Sequence, residues 1–117
     1  MTRRELQRLN DILDSIEIIR SYTVQGGVVN GIVYDACRVR LIEIGESVKH
    51  LSPELLANAP ATPWREIARL RDRLVHHYFD TDFANVQRLI DEDLEPLQHA
   101  VRSLILLVTS STSEGQP

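Results

Sequence analysis

Cysteine is nearly absent from this chain: Cys37 is the only one in 117 residues. No intrachain disulfide and no zinc site built on cysteine pairs is therefore open to it, and a reducing, cytoplasmic setting is the expectation. Lysine is equally scarce, since of 13 basic residues only Lys49 is not an arginine. Aromatic residues make up 5%, and the five glycines and five prolines fall mostly between periodic segments. No long apolar run exists. The longest late one, Leu104-Ile105-Leu106-Leu107-Val108, is far short of the roughly 20 residues a membrane helix needs. Met1-Thr2-Arg3-Arg4-Glu5-Leu6 lacks the apolar core of a signal peptide. Strong positive charge is also missing. A formal net charge of −4 and a pI near 5.5 argue against a tight grip on long nucleic-acid duplexes. There is no Gly-rich phosphate loop, no His-Glu-x-x-His and no Gly-x-Ser-x-Gly elbow.

What is present is helical periodicity. Leu6, Leu9, Ile12, Leu13, Ile16 and Ile19 recur every three or four residues, which predicts a helix over 3–22. The Gly26-Gly27 pair then favours a turn. Val33, Cys37, Leu41, Ile44, Val48 and Leu51 form a second, near-heptad stripe, suited to lengthwise packing against another long helix. Gly45 interrupts it at a cost of about 1 kcal/mol relative to alanine, so a close approach of neighbouring backbone is expected there. Glu46 follows and can face any cleft so formed. Ser52-Pro53 and Thr62-Pro63 each resemble a helix start, a capping hydroxyl followed by proline. They predict a short helix over 53–58 and a longer one over 63–78, with Ile67, Leu70 and Leu74 on its core face. A final stripe runs from Phe83 to Val108 with Pro96 inside it, so a break is expected near 93–95. Residues 109–117 carry no apolar pattern and are expected to be a disordered tail behind a single domain of residues 1–108. With no period-two segment, the fold class is all-α: an antiparallel bundle of four main helices plus a short one.

The densest chemistry lies in Arg71-Asp72-Arg73-Leu74-Val75-His76-His77-Tyr78. Folding does not require two arginines, a carboxylate, two imidazoles and a phenol in eight consecutive residues. A site that binds phosphate and moves a proton near neutral pH can use most of them. Asp72 and His76 are four apart and share a helix face, so a carboxylate–imidazole contact is available. Arg71 and His76 are five apart, about 140° around the axis, so a straight helix does not set them side by side. A second copy of the chain, bringing its own pair across a two-fold axis, is the favoured way to gather them. His76 alone is more often an ordinary surface or core histidine than a catalyst. Arg65, Arg69 and Arg73 at helical spacing most often form a solvated face. Adjacent His76 and His77 point about 100° apart, a poor arrangement for a metal, and none is expected.

Arg71, His76 and Tyr78 together resemble the Arg-x4-His-x-Tyr motif of HEPN-domain toxins, the HepT family of HEPN/MNT toxin–antitoxin pairs in particular. Ile44-Gly45-Glu46-Ser47, Pro63-Trp64-Arg65-Glu66-Ile67, Tyr78-Phe79 and Asp93-Leu94-Glu95-Pro96-Leu97 extend the resemblance across 5–108. It implies a HEPN helical bundle that forms a homodimer with the motif lining the cleft. It implies a metal-independent endoribonuclease, without cofactor, that cleaves messenger or transfer RNA in a type VII-like toxin–antitoxin system. His76 would be general base or acid and Arg71 would stabilise charge on the phosphate. Asp72, Arg73 and Glu46 would be in supporting places. Tyr78 matches the tyrosine that the nucleotidyltransferase antitoxin modifies with AMP. Asp72 departs from the family, which often has asparagine or another polar residue there. A weakened or inactive adaptor that binds the nucleotidyltransferase is the alternative.

Overall fold

The computed structural model describes residues 3–24, 27, 31–76 and 83–114, with Phe83 and residues 111–114 as backbone. Among the described residues six helices follow one another: α1 (Arg3–Thr23), α2 (Gly31–Lys49), α3 (Pro53–Leu56), α4 (Trp64–His76), α5 (Phe83–Glu92) and α6 (Leu94–Glu114). No strand occurs among the described residues. The bundle is elongated, 53 × 26 × 22 Å. The α1 helix lies between α2 and α6, and α2 lies between α1 and α4.

Each apolar stripe becomes a buried seam. Leu9, Ile12, Ile16 and Ile19 of α1 are fully buried. They meet Val33, Cys37, Leu41, Ile44 and Val48 of α2 and Leu94, Leu97, Val101, Leu104 and Val108 of α6 in one core. Burial raises the Cys37 thiol above its ordinary value and keeps it protonated. Polar groups at the α1–α6 seam are paired. Gln98 accepts a 2.8 Å hydrogen bond from Arg20 and donates one of 3.1 Å to Glu17.

Local signals set the ends of the elements. Ser52 caps α3, its hydroxyl accepting from the Leu55 amide at 3.2 Å, with Pro53 in the first turn. The indole of Trp64 donates to the Ala59 carbonyl at 3.0 Å, which pins the start of α4 to the turn before it. The break expected near Pro96 falls at Asp93, between α5 and α6. Pro96 thereby occupies the third position of α6, where a missing amide proton costs no helical hydrogen bond. The α6 helix outruns its apolar stripe to Glu114. Thr109, placed in the expected tail, bonds back to the Ile105 carbonyl at 2.7 Å, a local bond that Ser and Thr make readily within helices.

The α4 helix sits closer to α2 than to the α5–α6 pair. Of its three expected core positions Leu74 is buried, whereas Ile67 and Leu70 are half-buried. They line a cleft of about 300 Å³ together with Leu41, Leu94 and Pro96. The partial exposure follows from that cleft: among the described residues, one flank of α4 has no tightly packed neighbour.

Candidate functional site

The site grows from the place where α4 crosses α2. Gly45 makes the crossing possible. A Cβ there would overlap the Arg71 Cβ and lie 3.1 Å from the Ile67 carbonyl oxygen. The missing side chain lets α4 backbone settle directly on α2, which accounts for a glycine inside a helix that otherwise disfavours it. Arg38, seven residues before Gly45, meets Leu74, while Gly45 meets Ile67 and Arg71. The two helices therefore run antiparallel.

This contact fixes Arg71. Its side chain is 25% exposed, with Nε 2.9 Å from a Glu46 carboxylate oxygen. Both atoms are buried and neither makes a hydrogen bond, so the contact is an ion pair rather than an aligned N–H···O bond. Nη1 donates to Asp72 Oδ1 at 2.9 Å. The same Asp72 oxygen accepts from Lys49 Nζ at 3.1 Å, across from the last turn of α2. Four charged groups, two of each sign, thus form a row over the helix crossing. The hydrogen bond to Asp72 raises the Arg71 guanidinium, outweighing the opposing cost of desolvation, with Glu46 adding in the same direction. Asp72 is held below the ordinary carboxylate range, first by Arg71 and then by Lys49, against a smaller effect of desolvation.

The sequence-derived residues are only partly gathered. Glu46, Arg71 and Asp72 meet, as the position of Glu46 beside Gly45 suggests. The available Asp72–His76 contact is not made. Asp72 turns instead to Arg71 and Lys49, whose full positive charges lie within 3.1 Å. His76, the last residue of α4, is exposed and makes no side-chain hydrogen bond or ion pair among the described residues. Arg71 and His76 thus differ in environment, one held against α2 and the other facing solvent, in keeping with their angular separation on the helix. Arg73 lines a cavity of about 200 Å³ with Asn85 and Arg88. His77 and Tyr78 lie outside the described residues. Lys49 and Arg38 escaped the sequence reading, although a signal was there. They sit four residues after and seven before Gly45, on the face that glycine marks as a contact surface.

Residues 12–104 match the family described as ribonuclease HepT-like. The chain belongs to that family. Within it, a probable ribonuclease HepT of Thermococcus cleftensis is 31% identical over 102 residues, which cover 84% of this chain and 93% of the relative. A Methanocaldococcus jannaschii protein named "Gamma-glutamylcyclotransferase and putative RNase" is 31% identical over 101 residues. The match takes in 83% of this chain and 46% of that longer protein. A Caldanaerobacter subterraneus protein with the same RNase designation is 35% identical over 68 residues, 57% of this chain and 61% of its own length. No solved structure matches. HepT-like membership agrees with the all-helical architecture. No described helix is long and apolar enough to cross a membrane.

Proposed function

We propose that this HepT-like chain is a metal-independent endoribonuclease, the toxin of a HEPN/MNT pair, working as a homodimer. The observation that carries the reading is the placement of Arg71. A guanidinium is anchored by Glu46 and Asp72 one turn and a half before an exposed imidazole at the end of α4. In the proposed step His76 takes the proton from a ribose 2′-hydroxyl. The freed oxygen attacks the adjacent phosphorus, forming the 2′,3′-cyclic phosphate. The bond to the 5′-oxygen breaks, and an imidazolium, from the same or the partner protomer, returns a proton to that leaving oxygen. The RNA supplies its own nucleophile, so acid–base chemistry and charge stabilisation suffice. Arg71, already positioned and protonated, faces the charge growing on the phosphate oxygens. Pairing of two copies would set two Arg71–His76 pairs around one groove and concentrate positive charge in an acidic molecule.

Regulation by the nucleotidyltransferase antitoxin is part of the same proposal. AMP on Tyr78 would add bulk and negative charge next to His76, blocking the approach of RNA. One observation favours a second reading, an adaptor that binds the nucleotidyltransferase without cleaving RNA. Arg71 is already paired with two carboxylates of its own chain, and substrate phosphate must compete with them.

The deciding experiment expresses wild type and His76→Ala without antitoxin, and incubates each purified protein with RNA in the presence of a chelator. Wild type is expected to arrest growth and to release 2′,3′-cyclic phosphate and 5′-hydroxyl ends, while the variant does neither. Equal growth with intact RNA would leave the adaptor. Incubation with the antitoxin and ATP is expected to add one or more AMP units to wild type and none to Tyr78→Phe.

A further inference from the structure

We infer that Arg38 is a positioning residue that fixes the last turn of α4 and, with it, the place of His76. The inference rests on the reading of His76 as the acid–base group, and it starts from an unusual use of an arginine. Both Nε and Nη2 of Arg38 donate to one backbone oxygen, the Leu74 carbonyl, at 3.1 and 3.0 Å. Leu74 lies two residues before the end of α4. A cationic fork on this carbonyl makes charge-assisted hydrogen bonds, which are stronger than neutral ones. The bond ties α2 to α4 backbone and joins groups 36 positions apart in the chain.

The anchor has a mechanical consequence. Leu74 is fully buried, so the apolar side of the last turn is held by the core, and Arg38 holds its carbonyl end. His76 extends from this turn into solvent with no hydrogen bond or ion pair of its own among the described residues. Its location is therefore inherited from the backbone beneath it. Gly45 sets the separation of the helices at Arg71, and Arg38 acts about 10 Å farther along α2, seven residues at the helical rise. The two contacts hold α4 at both halves of the motif. Arg38 touches neither reacting atom in this arrangement; it acts through the backbone that carries His76.

The test compares Arg38→Ala and Arg38→Lys with wild type in the full-length protein, using three readouts. Amide hydrogen exchange should rise about tenfold in the last turn of α4 in Arg38→Ala, with α1 and α6 unchanged. The His76 ring signals in a proton–nitrogen spectrum should shift or broaden in that variant. With a mixed-sequence, fluorophore-labelled single-stranded RNA as probe, kcat should fall about 10- to 100-fold while KM stays within about twofold. Arg38→Lys, which keeps the charge but replaces the planar fork by a single ammonium, should recover part of each loss. Unchanged exchange and ring signals would overturn the inference, as would unchanged kcat with a perturbed last turn. A higher KM at constant kcat would assign Arg38 to the RNA phosphate instead and also overturn it. If wild type cleaves no RNA, the ribonuclease reading fails, and exchange and ring signals alone decide the anchor. Should Arg38→Ala fold poorly, Arg38→Lys supplies the same comparison.

Discussion

The two seams of α2 are built on different principles. Toward α1 the contact is aliphatic, with Ile12, Ile16, Cys37 and Leu41 at most 3% exposed. Toward α4 the approach is opened by a glycine and overlaid by charge: Glu46, Arg71, Asp72 and Lys49, with Arg38 holding the helix end. Burial of aliphatic surface stabilises in proportion to area, at about 25 cal/mol per Å². Exposed ion pairs contribute about 0–1 kcal/mol each. The first seam therefore holds the fold together, and the second uses that rigidity to place groups that stabilise it little.

The sharpest way to break this comparison is a pair of substitutions. Ile16→Ala should destabilise by about 2–5 kcal/mol, because it opens a cavity in a fully buried position. Arg71→Ala should destabilise far less by the same denaturant titration, yet should lower RNA cleavage by at least about 100-fold. Equal losses of stability in the two variants would make the charged row structural. Gly45→Ala comes next. Displacement of Arg71 and the Ile67 carbonyl should cost about 1–3 kcal/mol, offset by about 1 kcal/mol of helix propensity. The net destabilisation is small, and the loss of cleavage should exceed it because Arg71 moves. Stability unchanged and cleavage intact would mean that the crossing relaxes without disturbing the site.

The smallest effect concerns pH. Asp72 has a folded-state value below that of the unfolded chain, through Arg71 first and Lys49 second. Its contribution to stability is thus fully present above the ordinary carboxylate value. It fades as pH falls through the lowered, folded value. The difference in stability between wild type and Asp72→Asn should accordingly narrow on acidification. Half-exposure of this side chain makes the difference sensitive to salt as well. Denaturant titrations at several pH values and two salt concentrations measure it. A gap that widens toward acid would reverse the assignment of Asp72 as a stabilised carboxylate.

Much of this architecture is legible in the amino-acid order. The stripes of α1, α2 and α6 coincide with their buried residues, apart from half-buried Leu6 and Leu13 of α1, because a 3.6-residue period leaves one face for the core. Ser52 and Pro96 mark a start and a break for equally local reasons. Gly45 was legible as a close approach, although not what approaches it. The site was less legible. Asp72 and His76 satisfy the spacing rule for a contact, but helical spacing along α4 cannot register that Lys49, 23 positions away, competes for the same carboxylate oxygen. Arg38 escaped for a similar reason. Its place on the Gly45 face marks it as near a contact, but its partner is a backbone carbonyl 36 positions away, which side-chain spacing does not identify.

Periodicity, caps and breaks, all properties of neighbouring residues, by themselves determined that this chain is a helical bundle with a charged motif on one of its helices. Only the tertiary structure decided which charges meet. The crossing of α2 and α4 sets Arg71 between Glu46 and Asp72, draws Asp72 toward Lys49 and ties Arg38 to the end of α4. Electrostatic partners are chosen by distance in space, and a helix packing on a glycine brings together groups that the chain itself keeps 20 to 40 positions apart.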